Sequence, residues 1–180
     1  MKRIILVVLS VSLFVVTQTT QAQRYTSDEQ FEVAFGLGYL DLLHAGMKYK
    51  LTPVNKIAMS YGGLFNLGNS ERKRSSITLE HQYHFGKTTF HSKSPIFYFS
   101  QKLTMLRDNN STYNTQMVYV TPSIGKSFYG DGPYGINVDI GVMAKIHDYG
   151  ESFGNIPEQQ NRPKYPAFFP AIRFQFFFSL

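Results

Sequence analysis

The sequence predicts an all-β fold, a transmembrane antiparallel up-and-down β-barrel of about eight strands. Three observations favour this fold. Apolar residues recur at every second position in short segments, turn-rich links separate these segments, and the face opposite the apolar residues carries small side chains. No long stretch has the period of a helix.

The N-terminus has the pattern of a secretory signal peptide. Lys2 and Arg3 precede an apolar run over 4–16, and Ala22 provides a small residue for cleavage. The run is shorter than the roughly 20 residues that a membrane-spanning helix needs. We therefore predict a cleaved signal peptide at 1–22 and a single barrel domain at 23–180. Cysteine is absent, so no disulfide is expected.

Eight segments have the alternation of a strand. They are expected at roughly 31–40, 43–51, 56–67, 76–85, 96–106, 116–128, 135–147 and 167–180. The seventh is the most regular, because the apolar residues from Ile136 to Ile146 alternate with residues such as Asn137 and Asp139. In the eighth, Phe177 alone breaks an alternation in which Arg173 and Gln175 share the second face.

Residue size indicates which face of each strand points outward. The non-apolar face is rich in small residues: Ala34, Gly36, Gly38, Gly46, Ala58, Ser60, Gly62, Ser123, Gly125 and Gly141. An eight-stranded barrel has an interior just wide enough for side chains, so small residues fit inside. The apolar face is then outside, where only lipid tolerates so large a patch.

The links between the segments alternate in length. Short links at 51–56 and 129–135 alternate with longer polar links at 67–76, 107–115 and 148–166. Transmembrane barrels have short periplasmic turns and long extracellular loops. The longer links are therefore expected outside the cell, although the link around residues 86–95 is long for a periplasmic turn.

With its leader, alternating strands and Phe-rich last strand, the chain resembles the small outer-membrane β-barrel proteins of Gram-negative bacteria, akin to OmpX and the membrane domain of OmpA. The resemblance is one of pattern and covers the whole mature chain. It implies a location in the bacterial outer membrane, with membrane lipid and lipopolysaccharide as partners. It also implies recognition of the last strand by the barrel-assembly machinery, for which the family usually ends in an aromatic residue. This chain ends in Leu180, with Phe178 two positions before it.

The predicted lumen contains ionisable residues of both signs: Glu32, Lys48, Lys50, Glu80, Lys102, Asp139, Lys145 and Arg173. Unpaired charges in so narrow a space would be costly, so we expect ion pairs. Glu80 with Lys102 and Asp139 with Arg173 are the candidates on neighbouring strands. A structural plug is favoured over a conduction pathway or a proton relay.

Two extracellular segments are candidate contact sites. The second outer loop contains Arg72, Lys73 and Arg74, which suit the phosphates of lipopolysaccharide or form a solvated loop tip. The last loop contains Phe153, Ile156, Arg162 and Tyr165, which suit an extracellular protein ligand or shield the barrel mouth.

These features favour a non-enzymatic outer-membrane barrel with a structural or adhesive role. The alternatives are a lipid A acyl hydrolase or transferase on the same fold and a soluble periplasmic barrel. The sequence motifs of the lipid A enzymes are absent, although His147 and Asp148 with Ser152 or His44 could form a triad. Glu80 and His84 share a strand face without completing a metal site, so no metal or cofactor is expected. The moderate excess of 18 Lys and Arg over 12 Asp and Glu argues against nucleic acid as a partner.

Overall fold

The chain folds into a closed barrel of eight antiparallel strands, in which each strand pairs with its sequence neighbour and the last pairs with the first. This computed structural model describes residues 30–39, 42–63, 73–89, 92–110, 113–152 and 165–180. The strands are β1 Phe31–Gly38, β2 Leu42–Lys50, β3 Asn55–Gly63, β4 Lys73–Thr89, β5 Ser92–Asn110, β6 Tyr113–Tyr129, β7 Tyr134–Ser152 and β8 Phe168–Ser179. The predicted all-β barrel is confirmed. No helix among these residues is long and apolar enough to cross a membrane.

Four strands are longer than the sequence predicts. The strands β4, β5, β6 and β7 extend into residues that we expected in links, such as 107–110 and 148–152. Backbone pairing between adjacent antiparallel strands needs no apolar side chains, so polar residues continue these ladders past the apolar part. The long link after β4 is a hairpin extension with irregular pairing between Phe85 and Thr89. The predicted signal peptide at 1–22 lies outside the described residues.

The strands are strongly staggered around the barrel. A path of paired residues that leaves β8 at Phe178 returns to β8 ten residues away, at Phe168. It passes through Val33, Met47, Met59, Leu79, Leu103, Val120 and Ala144. With about 3.3 Å per residue and 4.8 Å between strands, this stagger corresponds to a strand tilt of about 40°.

The burial of β8 follows the predicted alternation and explains its one irregular residue. Arg173, Gln175 and Phe177 are buried, whereas Phe174 and Phe176 are exposed. Phe177 therefore points into the barrel, where its ring meets Tyr129 edge-on at 5.5 Å between centroids. Of the three rings at 176–178, two face outward and the third points into the lumen, at the end that the sequence predicts to be periplasmic. We name the two ends of the barrel periplasmic and extracellular after that prediction.

Large side chains inside the barrel lie against glycines. Tyr98 is fully buried, and a Cβ added at Gly125 would lie 2.3 Å from its ring. At the periplasmic end, a Cβ at Gly135 would lie 2.5 Å from the ring of Phe177. At these two positions only glycine leaves room for the ring opposite.

The extracellular half of the lumen contains a cluster of apolar side chains. Its buried cluster consists of Leu106, Met117, Tyr119, Met143 and Ala171, with Tyr165 and Phe169 packed against it. A cavity of about 20 Å³, enough for about one water molecule, lies below the cluster between Met143 and Arg173. Packing thus closes the upper lumen.

Candidate functional site: the charged lumen and the extracellular rim

Arg173 is the centre of the charged network in the lumen. Its side chain is buried, and its two terminal nitrogens donate to the two carboxylate oxygens of Glu80 at 2.5 and 2.7 Å. Its Nε donates to Asp139 at 2.9 Å. One guanidinium thus links β4, β7 and β8 through a bidentate pair and a second ion pair, an arrangement that lysine could not reproduce.

The other residues of this network complete the bonds to both carboxylates. Lys102 and Tyr98 donate to Asp139, and Ser100 and Gln82 donate to Glu80 at 2.6 and 2.8 Å. The expected pair of Asp139 with Arg173 is present. The expected pair of Glu80 with Lys102 is wrong. The two residues lie opposite each other in the ladder, but Lys102 bonds Asp139 and Glu80 bonds Arg173.

A second group of charges lies at the periplasmic end of the lumen. Glu32 accepts a 2.7 Å hydrogen bond from Lys56, and the ammonium of Lys50 is 3.6 Å from the same oxygen. Lys48 is opposite Glu32 in the ladder but makes no hydrogen bond to it. The ammonium groups of Lys48 and Lys56 lie 5.6 and 5.8 Å from the centroid of the Phe177 ring.

Lys145 does not join the lumen network, in contrast to the prediction. The pairing of β6 with β7 has an irregularity between Val118 and Tyr119, which shifts the register at this point. The ammonium of Lys145 instead bonds the carboxylate of Asp148 at 2.6 Å and the carbonyl of Tyr165 at 3.0 Å. Lys145 therefore links β7 to Tyr165, which lies just before β8, at the rim.

The extracellular rim is tied together by a buried carboxylate. Asp108 is fully buried and accepts hydrogen bonds from Arg74, at 3.3 Å, and from the hydroxyl of Tyr165. The guanidinium of Arg74 also lies over the Tyr165 ring, 5.9 Å from its centroid. Tyr165, which we expected among the outward contact residues, is an anchor of the barrel mouth. Phe153, Ile156 and Arg162 lie outside the described residues.

The predicted basic loop is partly a strand. Lys73 and Arg74 belong to β4, and Arg72 lies outside the described residues. Arg74 points inward to Asp108, whereas Lys73 is exposed. On the neighbouring strand Arg107 is also exposed and lies opposite Ser75, two residues from Lys73. In this part of β4 and β5, the exposed cations among the described residues are therefore Lys73 and Arg107.

The histidines of the suggested catalytic triad lie in different environments. His44 is buried in the lumen, where its Nε2 hydrogen-bonds the amide of Gln175 at 3.2 Å. His147 is exposed near the extracellular end of β7. The suggested triad of His147 and Asp148 with His44 is therefore wrong, because His44 is buried in the lumen whereas His147 is exposed. Glu80 and His84, which share a strand face, bind different partners. Both carboxylate oxygens of Glu80 accept hydrogen bonds from Arg173, and the Nδ1–H of His84 donates to the carbonyl of Pro95 at 2.8 Å.

Three charged residues of these sites were not predicted from the sequence. Lys56 is the first residue of the predicted third strand and lies on the same face as Ala58, which we predicted to point inward. The alternation could therefore have identified Lys56 as a lumen residue. Arg107 and Asp108 fall in a polar segment that we assigned to a loop, and their sequence carries no signal that the strand continues.

The chain matches no protein-family model, no curated protein and no solved structure.

Proposed function

We propose that the protein is an integral barrel of the bacterial outer membrane, exported through its signal peptide, with a non-enzymatic structural or binding role at its extracellular rim. The observation that carries this proposal is the apolar outer surface of the barrel. Exposed large apolar residues occur on every strand, among them Phe35, Met47, Met59, Leu79, Leu103, Ile124, Ile140 and Phe174. In water such a belt would be a very large apolar patch.

The height of the belt fits a membrane. On β6 the apolar outward residues Val118, Val120, Pro122 and Ile124 lie between Gln116 and Lys126. Ten residues of a strand tilted by about 40° rise about 25 Å, which is the height of the apolar band of outer-membrane barrels. His81 interrupts the belt, and its Nε2 hydrogen-bonds Asn55 at 3.2 Å.

The periplasmic edge of the belt carries aromatic rings and a cation. The ammonium of Lys126 lies 4.8 Å from the centroid of the Phe128 ring and 5.7 Å from that of Phe97. Aromatic residues collect where a membrane meets water, and lysines beside them reach the head groups. The outward Phe residues of β8 also suit its proposed role as the signal for the barrel-assembly machinery.

One substitution at two outward positions tests the membrane location. Arginine in place of an exposed belt residue costs about 2–4 kcal/mol in a bilayer and about 0–1 near the interface. We expect Ile140→Arg to reduce the free energy of unfolding from lipid vesicles by that larger amount, and Gln116→Arg to have little effect. Equal small effects of both, together with extraction of the wild-type protein from cells without detergent, would show a soluble barrel.

We also propose that Lys73 and Arg107 bind phosphates of lipopolysaccharide. Both are exposed on the outer surface, on the extracellular side of the belt residues Ile77 and Met105. Cations at this depth can bridge the negatively charged groups of the outer leaflet. This pair replaces the basic loop as the proposed contact, because Arg74 is engaged with Asp108.

The phosphate contact is tested by the stability that lipopolysaccharide adds to the folded barrel. We expect lipopolysaccharide to raise the unfolding temperature of the wild type, and the double variant Lys73→Gln with Arg107→Gln to lose most of this rise. Lys87→Gln, which changes an exposed lysine at the opposite end of β4, is the control and should retain it. A rise of the same size in the double variant would exclude these two residues as the site.

A further inference from the structure

The periplasmic end of the lumen has more positive than negative charge. The ammonium groups of Lys48, Lys50 and Lys56 surround a single carboxylate, that of Glu32. Lys48 and Lys56 are almost fully buried, and the side chain of Lys50 is 16% exposed. Further into the barrel the charges balance, because Arg173 and Lys102 face Glu80 and Asp139. The uncompensated positive charge is thus confined to the periplasmic end.

The unpartnered cation can be identified from the hydrogen bonds. One oxygen of Glu32 is occupied by Lys56 at 2.7 Å, with Lys50 at 3.6 Å. Glu80, the next buried carboxylate, is already bonded by Arg173, Ser100 and Gln82. The Nζ of Lys48 has no hydrogen-bond partner among the described residues. A buried ammonium without a partner is costly, so its surroundings should supply an anion.

Other polar atoms near Lys48 and Lys56 also lack hydrogen-bond partners in the part of the chain that the structure describes. They are the second oxygen of Glu32, the side-chain oxygen of Gln82 and the Nε2 of His84. Glu32 is opposite Lys48 in the ladder, and Gln82 is opposite Lys56. Buried polar groups in proteins are normally bonded to protein or ordered water. Unpartnered donors and acceptors in one layer therefore indicate a hydrated space, in contrast to the apolar upper lumen.

We propose that this layer binds one small monovalent anion, a halide such as chloride, at the Nζ of Lys48. The anion enters from the periplasmic end past Lys50, and water bridges it to the neighbouring polar atoms. The anion must be small, because the side chains of Phe177 and Tyr98 and the Arg173 network occupy the surrounding lumen. That network and the apolar cluster above it close the path, so the layer is a dead-end site and not a pore.

The test compares anions at constant ionic strength. The unfolding temperature of the detergent-solubilised protein is measured in sodium chloride, in sodium bromide and in sodium gluconate, whose anion is too large for the layer. At a halide concentration about ten times the dissociation constant, we expect the wild type to unfold about 3 °C higher than in gluconate. Lys126→Met, which removes a lysine from the outer surface, should show the same rise.

The decisive variant is Lys48→Met, which removes the ammonium and keeps a long side chain. We expect it to lose the halide dependence and, in gluconate, to unfold at a higher temperature than the wild type, because the unpaired charge is gone. An equal rise in wild type and Lys48→Met would identify a general salt effect and overturn the proposal. Identical unfolding temperatures of the wild type in all three salts would do the same, since a neutral Lys48 needs no anion.

A direct measurement keeps the proposal testable if Lys48→Met does not fold. The wild-type barrel should broaden the chloride NMR line beyond the broadening by empty detergent micelles, and bromide should reverse this excess. An excess of zero would overturn the proposed site. Because this site depends on the lumen alone, its failure leaves the proposed membrane location untouched, and the Ile140→Arg result leaves this site untouched.

Discussion

The two halves of the lumen are filled by different kinds of side chain. Toward the extracellular end, Leu106, Met117, Tyr119 and Met143 pack together. Toward the periplasmic end, the interior consists of lysines, glutamates and amides around the Phe177 ring. Both halves lie inside the same closed ladder of strands, so the backbone does not account for the difference.

The difference separates two ways to block a narrow barrel. The apolar half excludes water by close packing, and the cavity beneath its cluster has room for about one water molecule. The charged half is held by directed bonds, and where bonds are missing it needs water or ions. The Arg173 network lies between the halves and fixes their boundary. Close packing therefore blocks the upper half, whereas the lower half is where we propose a binding site.

The largest effect is expected at the boundary between the halves. Arg173→Met leaves Glu80 and Asp139 buried without their main partner, which should cost about 3–5 kcal/mol in the free energy of unfolding. The control is Arg74→Met at the rim, where the side chain is 26% exposed and Tyr165 still donates to Asp108. Urea unfolding in detergent would measure both. Equal losses would mean that the central network is no more important than the rim pair.

A smaller loss is expected in the apolar half. Met117 is fully buried in the upper cluster, so Met117→Ala should leave a cavity and cost about 2–5 kcal/mol. Met105→Ala, on the outer face of the neighbouring strand, removes the same atoms from a side chain that is already exposed. The same urea titration should show a much smaller loss there. A negligible effect of Met117→Ala would mean that the upper lumen is loosely packed and that the contrast between the halves is weaker.

The sequence predicts the barrel well because the relevant signals are local. Period-two alternation identifies each strand, and the small inward residues indicate which face is inside, as Gly125 against Tyr98 shows. The bounds of the long strands were wrong because their ends are polar and carry no periodic signal. Phe177 was an exception to the pattern in sequence, and it has a clear place as the ring beneath Lys48 and Lys56.

The partners inside the lumen could not be predicted to the same degree. Parity along a strand places Glu80 and Lys102 in the interior, but it does not show how far a long side chain reaches. Arg173 bonds Glu80 from β8, a strand that is not adjacent to β4 in the barrel. Such contacts across the lumen depend on the stagger of the whole barrel, which becomes known only when the register of every pair of strands is known.

The smallest effect among these predictions concerns packing in the charged half. A Cβ at Gly125 would lie 2.3 Å from the ring and 2.5 Å from the hydroxyl of Tyr98, so Gly125→Ala forces this ring to move. The movement disturbs the 3.2 Å hydrogen bond from Tyr98 to Asp139, and overpacking of this kind costs about 1–3 kcal/mol. Gly63→Ala is the matched control, because its nearest neighbour would be 3.6 Å away.

Crowding and strand propensity predict different results for a second substitution at Tyr98. If crowding is the cause, adding Tyr98→Leu to Gly125→Ala should cost less than the two single changes together, because the smaller side chain makes room for the new methyl group. If the added alanine acted only through the backbone, the two losses would add. Additive losses in the double-mutant cycle, or a loss at Gly63→Ala as large as at Gly125→Ala, would show that the charged half is not packed as tightly around Tyr98 as the structure indicates.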